Sequence, residues 1–413
     1  MSRLILKNAN VLDGDTKAQP GLNVVVEGDR IASVGSAPVA TKPDDRVVDL
    51  AGKTVMPGIV SGHFHASYNN ITIQPEPLGV ERPENYLALV AAKNLKLALD
   101  CGVTSVISSG ANAGTIDADV CLAINEGLIP GPRLLPASRG LDAIGGYTDQ
   151  EKWWWNLGNK GAQLLCSGPD EFERAVRTEI KRGARMIKLF LSGGHAVAEH
   201  EGESSLSKEE LLTCIRTAHS RHAKVRAHIA WKNVMLEAIA AGIDVIDHGD
   251  QMDDECSDAM LERGVFWVPS AFFTAQMLSP TAALSMATEE QMAGLRSEFD
   301  NVLRRVQRAR ENGMKVVLGD DYGIIVLPHG RYMEELEFYV KQVGIPALDV
   351  IRWSTKNGGE LFGGAVKTGM IRAGYYADLL VVDGDPSVDI ALLQSREKVR
   401  AVVKGGVVMR GEI

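Results

Sequence analysis

The chain has 413 residues, 45% of them hydrophobic and 23% charged, with a formal net charge of −9. This is the composition of a globular protein with ample material for a large core. The acidic balance and the lack of a basic tract argue against nucleic acid or an anionic membrane as a partner. No stretch approaches the roughly 20 apolar residues that span a bilayer.

Both ends of the chain predict short β-strands separated by glycine-containing turns. The β-type runs lie at 4–6, 23–26, 30–34, 46–50, 377–384 and 399–408. Neither end has enough strands to form a complete unit. We therefore predict one small β-sandwich domain made from residues 1–57 and 366–413.

Residues 58–365 alternate short apolar strands with amphipathic helices, which is typical of parallel βα units. Eight strands are predicted, at 59–65, 104–110, 133–140, 186–194, 224–230, 244–249, 265–270 and 315–321. Helices are predicted between them, among others at 84–99, 169–182, 207–222 and 289–311. Eight such units predict an α/β fold of the (β/α)8 TIM-barrel type, which forms the catalytic domain.

The five cysteines are odd in number and show no C-x-x-C spacing. They indicate reduced thiols rather than a disulfide framework, and so a cytoplasmic protein. Residues 1–7 are too short and too interrupted by charge for a signal segment.

An H-x-H pair, His63 and His65, ends the first predicted strand of the barrel. Because alternate side chains of a strand point to one side, the two imidazoles should face the same point. Imidazole is the commonest ligand for zinc and similar metals in proteins. On its own the pair is weak evidence, since two histidines at this spacing also occur by chance.

Four further polar residues occupy the same kind of position. Lys188 lies on the fourth predicted strand, while His228, His248 and Asp321 end the fifth, sixth and eighth. Each alone could be an ordinary satisfied polar residue, but catalytic groups of a barrel collect at the carboxyl ends of its strands. A lysine within an apolar strand is costly unless it is paired or chemically changed. Together they predict a metal site.

With these motifs the chain resembles the amidohydrolase superfamily over essentially its full length. The matching segments are 57–65, 187–188, 192–194, 227–228, 247–249, 319–321 and 374–384. The branch that it is most similar to contains metal-dependent Xaa-Pro and Xaa-Arg dipeptidases and imidazolonepropionase-like amidohydrolases. The lysine within the Ile-Lys-x-Phe-x-Ser-Gly-Gly stretch is typical of the members with two metals.

The resemblance implies a metal-dependent hydrolase that cleaves an amide-type C–N bond with a metal-bridging hydroxide. The implied ligands of two divalent ions are His63, His65, Lys188, His228, His248 and Asp321. Lys188 would be carbamylated and bridge both ions, and Asp321 would act as the general acid and base. Zinc is the expected metal, with manganese, cobalt or iron as alternatives. The resemblance also implies a homo-oligomer that acts on a small molecule.

The neighbouring Asp320 departs from the resemblance, because relatives often carry threonine there. Strand alternation should point Asp320 away from the metals, whereas a register shift of one residue would exchange it with Asp321. We favour Asp321, which aligns with the aspartate of the related Gly-Thr-Asp form.

Loops after the strands should form the substrate pocket. The candidate substrate-binding residues are Arg139, Tyr147, His195, Trp231, Tyr322 and His329. Tyr147 stands where related dipeptidases usually have histidine, and Trp231 where they often have tyrosine. We therefore predict an amide, carbamate, urea or peptide with an apolar or aromatic part. The role of the tryptophans at 153–155, in a pocket or an interface, stays open.

Two alternatives remain. One is a one-metal deaminase or cyclic-amide hydrolase, resembling imidazolonepropionase, although such enzymes generally lack a bridging lysine. The other is a non-catalytic scaffold on the same fold, although scaffolds typically lose ligands and all six positions are filled here.

Overall fold

A computed structural model describes residues 3–71, 78–152, 154–155, 160–194, 202–279 and 288–413. None of the helices in these ranges combines the length and the apolar run that crossing a membrane requires. All five cysteines fall within these ranges and are free thiols.

Five strands open the chain, before the first helix. They are β1 (Arg3–Val11), β2 (Gln19–Glu27), β3 (Arg30–Gly35), β4 (Arg46–Asp49) and β5 (Thr54–Pro57).

The middle of the chain alternates strands and helices. Its elements are β6 (Ile59–Ser61), α1 (Glu84–Asp100), β7 (Val103–Ile107), α2 (Ile116–Asn125), β8 (Arg133–Leu135), β9 (Ala137–Ala143), β10 (Gln163–Cys166), α3 (Pro169–Lys181), β11 (Met186–Phe190), α4 (Lys208–His219), β12 (Lys224–Ile229), α5 (Lys232–Ala241), β13 (Val245–His248), α6 (Asp254–Arg263), β14 (Phe266–Val268), α7 (Ala271–Met277), α8 (Glu289–Asn312) and β15 (Lys315–Val316).

Helices and then strands close the chain. They are α9 (Tyr332–Lys341), α10 (Ala347–Arg352), a π-helical turn (Trp353–Asn357), α11 (Gly358–Phe362), β16 (Leu379–Val382), a 3-10 turn (Ile390–Gln394), β17 (Val399–Lys404) and β18 (Val407–Gly411).

Strands from both ends of the chain form one eight-stranded sheet, in the order β18-β17-β16-β5-β1-β2-β3 with β4 also on β1. The first half of β1 pairs with β4, and its second half pairs with β5. Strand β5 in turn pairs with β16, which joins the two ends of the chain. The shared sheet explains why neither end looks complete in sequence. Its description as a two-layer sandwich and the domain limits stay predictions.

Strands β6 to β15 form two parallel sheets. One has seven strands in the order β10-β9-β11-β12-β13-β14-β15, and the other is β6-β7-β8. Each of the eight predicted strand segments overlaps an observed strand, which confirms the alternating α/β pattern. Pro136 separates β8 from β9, as expected for a residue without an N–H for the ladder. Strand β10 was not predicted.

Several of the helices between these strands are capped at one end. At the start of α4 the Glu210 N–H donates to Ser207 Oγ, and the Ser207 N–H donates to Glu210 Oε2 at 2.7 Å. This is a complete capping box. Helices α5, α6 and α8 each end at a glycine in the left-handed region, which turns the chain into the next strand.

The register of the parallel strands aligns the polar residues. Lys188 on β11 pairs with Arg226 on β12, and Phe190 pairs with His228. His228 pairs in turn with Asp247 on β13. Side chains paired in this way stand beside each other on one face of a sheet. Charged or polar side chains of β11, β12 and β13 therefore lie side by side on one face of the sheet.

Asp378 connects the terminal sheet to the parallel sheets. Its carboxylate is buried and accepts from Arg133 Nε at 2.6 Å, Arg133 Nη2 at 3.0 Å and the Gly405 N–H at 2.8 Å. The Arg133 guanidinium also lies 3.4 Å from the centre of the Tyr376 ring. One side chain thus fixes β8 against the segment before β16.

We expect Asp378→Ala to lower the free energy of unfolding by roughly 3 kcal/mol, because Arg133 loses its buried counterion. The measurement is urea denaturation followed by circular dichroism. Asp383→Ala is the matched control, since Asp383 is exposed and only 3.4 Å from the exposed Lys398. Equal loss in the two variants would contradict a connecting role for Asp378.

Candidate metal centre

Three of the predicted ligands converge on one point at the edge of the parallel sheets. His63 Nε2 lies 3.0 Å from Asp321 Oδ1, and His65 Nε2 lies 3.2 Å from the same oxygen. The two imidazole Nε2 atoms are 3.3 Å apart. Among the described residues, these three form a group whose ligand atoms all lie within 4.8 Å of one another.

The spacing of these three atoms fits a metal ion. Ligands about 2.05 Å from zinc lie about 2.9 Å apart at a right angle and about 3.4 Å apart at the tetrahedral angle. The three observed separations fall between those limits. Two imidazoles and one carboxylate are also a donor set that zinc and related divalent ions accept. The residues therefore fit a divalent metal.

The other ring nitrogen of each histidine has a partner. His65 Nδ1 lies 3.3 Å from the Gly110 carbonyl oxygen, and His63 Nδ1 lies 3.2 Å from Asp247 Oδ1. Both oxygens can accept an Nδ1–H, and in that tautomer each ring presents its Nε2 lone pair to a metal ion. Partners of this kind fix the ring orientation and the tautomer of metal-binding histidines.

His228 and His248 lie beside this group. Their ring centres are 4.3 Å apart, and the His248 ring is 5.5 Å from the His63 ring. His248 follows Asp247 on β13, so regular alternation would point the two side chains to opposite faces. However, His248 has φ of +67°, in the left-handed region. This turn allows both neighbours to face the cluster.

Lys188 is buried below the histidines, with 2% of its surface exposed. Its Nζ donates to Asp247 Oδ2 at 2.8 Å. Burial lowers the pKa of Lys188, and attraction to Asp247 only partly opposes this. The lysine thus lies on the strand beside His228, as the register of β11 and β12 requires, and its carboxylate partner is Asp247.

Arg226 and Asp247 were not predicted as site residues, yet both are completely buried beneath the histidines. The Arg226 Nε donates to Asp247 Oδ2 at 3.0 Å, and Nη2 donates to Asp247 Oδ1. Arg226 stands in the apolar run Val225–Arg226–Ala227. The cost of a charged residue in an apolar strand, which singled out Lys188, would have found it too.

The two neighbouring aspartates separate as alternation predicts. Asp321 faces His63 and His65, whereas Asp320 turns away and accepts the Phe273 N–H at 2.9 Å. Burial raises the pKa of Asp320 well above its usual value, and nearby Glu335 adds to this. For Asp321 burial acts in the same direction, but the neighbouring histidines outweigh it and lower the pKa well below the usual range. Of these two aspartates, only Asp321 faces the histidines, and it does so as an anion.

Two tyrosine rings flank the histidines. Tyr68, which was not predicted, stacks on His65 with ring centres 4.2 Å apart, and Tyr147 stacks on His228 at 5.4 Å. Burial, with smaller effects of Asp250 and Asp321, raises the pKa of Tyr147 to about 12. The Tyr147 phenol therefore keeps its proton at neutral pH and can donate a hydrogen bond.

Trp231 is buried at the start of α5, and its indole N–H has no hydrogen-bond partner among the described residues. It lines a cavity of about 790 Å³ with a strongly acidic wall. The carboxylates in that wall are Asp250, Asp253, Glu290 and Glu298, and Arg304 is the cation.

Three other predicted substrate-binding residues, Tyr322, His329 and Arg139, are packed against protein groups. Tyr322 is fully buried and donates to Glu335 Oε2 at 2.6 Å. His329 packs on Phe64, with its Nδ1 3.0 Å from the Tyr332 hydroxyl. Contact of either with substrate stays a prediction.

Arg139 lies away from the histidine cluster. Its Nη2 donates to Glu179 Oε1 on α3 at 3.2 Å, and it lines a cavity that contains none of the predicted metal ligands. His195 and Trp153 lie outside the described residues.

Comparisons with known proteins agree with this geometry. A sequence model described as "Amidohydrolase family" matches residues 54–409. Ochratoxinase of Aspergillus niger is 28% identical over 425 residues, covering 97% of this chain and 85% of the relative.

Two solved structures are similar over nearly their whole length. A Xaa-Pro dipeptidase with bound methionine in its active site has a TM-score of 0.85 and 26% identity, covering 99% of this chain and 100% of that chain. A prolidase complexed with N-methylphosphonate-L-proline has a TM-score of 0.87 and 27% identity, with both chains fully covered. The chain therefore belongs to the amidohydrolase family, in a branch with these dipeptidases and ochratoxinase, and is a hydrolase acting on C–N bonds.

Proposed function

We propose that this chain is a two-metal hydrolase of amides, carbamates, ureas or peptides whose substrate has an apolar or aromatic part. The observation that carries the proposal is the convergence of His63 Nε2, His65 Nε2 and Asp321 Oδ1 at ligand spacing. The relatives named ochratoxinase, dipeptidase and prolidase support the reaction class.

In this proposal His63, His65 and Asp321 would hold one divalent ion, His228 and His248 would hold a second, and Lys188, once carbamylated, would be a ligand of both. Zinc is the metal that we expect. When bound, two such ions polarise the scissile carbonyl and lower the pKa of water.

The protein's own groups then handle the proton and the substrate. Asp321 takes a proton from the attacking water and passes it to the leaving nitrogen, so that amide and water become acid and amine. The protonated Tyr147 phenol beside His228 donates to a substrate oxygen. The rings of Tyr68 and Tyr147 offer apolar faces to the substrate.

The proposal also takes the parallel strands as a closed (β/α)8 barrel. The Gly62 N–H donates to the Leu318 carbonyl at 2.6 Å, and the Asp320 N–H donates to the His63 carbonyl at 3.1 Å. These bonds join the ends of β6 and β15, the outer strands of the two sheets. At the other side, Pro136 alone separates β8 from β9.

We expect the protein, purified without chelator and with bicarbonate, to hold about two metal ions per chain. We expect His65→Ala to lose at least one of these ions and to hydrolyse substrate more than about 100-fold more slowly, since the change removes a direct ligand. Elemental analysis measures the metal. His219→Ala is the control, because His219 is partly exposed and bonded to Asp244. About one ion per chain in the unchanged protein would favour the deaminase or cyclic-amide alternative. If no ion is bound even after zinc or manganese is added, the result would favour the non-catalytic scaffold.

The bridging role of Lys188 has its own test. We expect Lys188→Ala to lose metal and activity while it keeps its fold, because Asp247 retains Arg226 as a counterion. Isotopically labelled bicarbonate should give a carbamate signal in the unchanged protein and none in the variant. Full metal content and activity in Lys188→Ala would rule out the bridge.

The substrate class can be tested with a panel of N-acyl amino acids, dipeptides and aryl amides or ureas. We expect the highest kcat/KM for members with an aromatic group, because tyrosines flank the histidine cluster. The acidic wall of the cavity beside Trp231 would instead attract a substrate with a cationic side chain. Exclusive cleavage of Xaa-Arg or Xaa-Lys dipeptides would contradict the apolar or aromatic substrate.

A further inference from the structure

We propose that Asp247 is a positioning residue that orients His63 and Lys188 for metal binding, and that Arg226 holds Asp247 in place. The inference rests on the proposed function. It concerns two residues that touch neither the substrate nor, in that proposal, the metals. The juxtaposition that carries it is four hydrogen-bonding groups around one fully buried carboxylate.

Each oxygen of Asp247 has two neighbours. Oδ2 accepts from Lys188 Nζ at 2.8 Å and from Arg226 Nε at 3.0 Å. Oδ1 lies 3.2 Å from His63 Nδ1 and accepts from Arg226 Nη2. A carboxylate with both oxygens occupied in this way cannot rotate without breaking several bonds. Its position therefore sets the positions of the side chains around it.

Arg226 is suited to hold this carboxylate. Its Nη1 donates to the Gly62 carbonyl at 2.9 Å and to the Ser108 carbonyl at 3.0 Å, at the ends of β6 and β7. With the bonds to Asp247, its fork joins three parts of the parallel sheets. A guanidinium is planar and always charged, so it holds the carboxylate in one orientation.

The chemistry of His63 decides which hydrogen bond Asp247 makes to it. Arg226 Nη2 also lies 3.2 Å from His63 Nδ1, but arginine has no acceptor. For His63 Nε2 to offer its lone pair, Nδ1 must carry the hydrogen. Asp247 Oδ1 is the acceptor within reach of that hydrogen, so it selects the ligating tautomer.

Lys188 can keep its bond to Asp247 through a change in its chemistry. Carbamylation joins the carbon of carbon dioxide to the neutral Nζ, and one of the two Nζ hydrogens leaves as a proton. The carbamate nitrogen retains its other hydrogen, which can still donate to Asp247 Oδ2. The same contact thus orients the unmodified lysine and the carbamate, with its oxygens directed away from Asp247.

The test compares Asp247→Asn with the unchanged protein, each prepared metal-free and titrated with cobalt(II). We expect the affinity for cobalt to fall about 10–100-fold, the range for partners of metal ligands. The visible absorption of bound cobalt should also change, since it reports the geometry of the ligands. The carbamate signal from labelled bicarbonate should weaken as well.

Glu179→Gln is the matched control. Arg139 on β9 of the same seven-stranded sheet and Glu179 on α3 also form a buried ion pair, with 4% and 3% of the side chains exposed. Among the described residues, the Glu179 carboxylate bonds to Arg139 and Arg182 and to none of the proposed metal ligands. We expect this variant to lose stability but to keep cobalt affinity and absorption. An equal loss of cobalt binding in both variants would overturn the proposal, because it would show a general effect of destabilisation.

A double variant separates positioning from folding. Asp247→Asn with Arg226→Met removes both members of the buried pair and leaves no unpaired arginine, so stability should partly return. We expect cobalt affinity to stay low, because His63 and Lys188 still lack their carboxylate. Recovery of affinity together with stability would overturn the proposal.

The outcomes distinguish this inference from the function on which it rests. Normal cobalt affinity and absorption in Asp247→Asn, with two ions in the unchanged protein, overturn the positioning role and leave the two-metal hydrolase intact. Failure of the unchanged protein to bind metal overturns both.

Discussion

The candidate site is built around a carboxylate that no solvent reaches. Asp247 is fully buried, and an isolated anion there would be prohibitively costly. Its charge is compensated by Arg226 and Lys188, which come from the two preceding strands of the seven-stranded sheet. Because these contacts fix the strands against one another, the position of the carboxylate is linked to that of the histidines above it. The buried charge of Asp247 thus requires Arg226 and Lys188 to lie where they do, and this arrangement organises the site.

Backbone geometry brings the remaining ligands to this point. A side chain at position 319 would place its Cβ 2.3 Å from the backbone nitrogen of His63. The residue there must therefore be glycine for the segment after β15 to approach the end of β6. That approach carries Asp321 to His63. On the other side, the left-handed conformation at His248 faces its ring toward His228, although its neighbour Asp247 already points inward. Conformations of this kind are costly for a residue other than glycine and persist where the surroundings require them.

Much of this arrangement could be predicted from sequence because it follows local rules. Strand periodicity located all eight predicted strands, and the helix predicted at 207–222 contains α4. Polar residues at strand ends predicted the grouping of His63, His65 and Asp321, because the carboxyl ends of neighbouring parallel strands share one edge. Alternation required Asp320 and Asp321 to face opposite sides, and the resemblance to the Gly-Thr-Asp form favoured Asp321 as the one that faces the site.

What could not be predicted depends on contacts between distant parts of the chain. Tyr322 and His329 look like loop residues at a pocket, but Tyr322 is buried against Glu335 and His329 packs, half-buried, on Phe64. The sequence alone does not reveal these contacts. Arg139 follows the same logic, since its partner Glu179 lies on a helix outside the strands. Asp247 was visible only as part of a motif, because its importance comes from Arg226 and Lys188 together. A single position in the sequence shows that burying a charged residue is costly. Only the fold shows which opposite charge compensates that cost.

The same balance of charge links the lysine modification to the metals. With Lys188 as a cation, Arg226 and Lys188 offset Asp247 and Asp321, and the buried site is close to neutral. Carbamylation would leave three anions facing one cation, an arrangement that a dry interior disfavours. Divalent cations would offset that excess, while they would be repelled by an unmodified ammonium group. In the proposed enzyme, carbon dioxide and metal therefore favour each other's binding, and Asp247, bonded to both His63 and Lys188, lies where the two events meet.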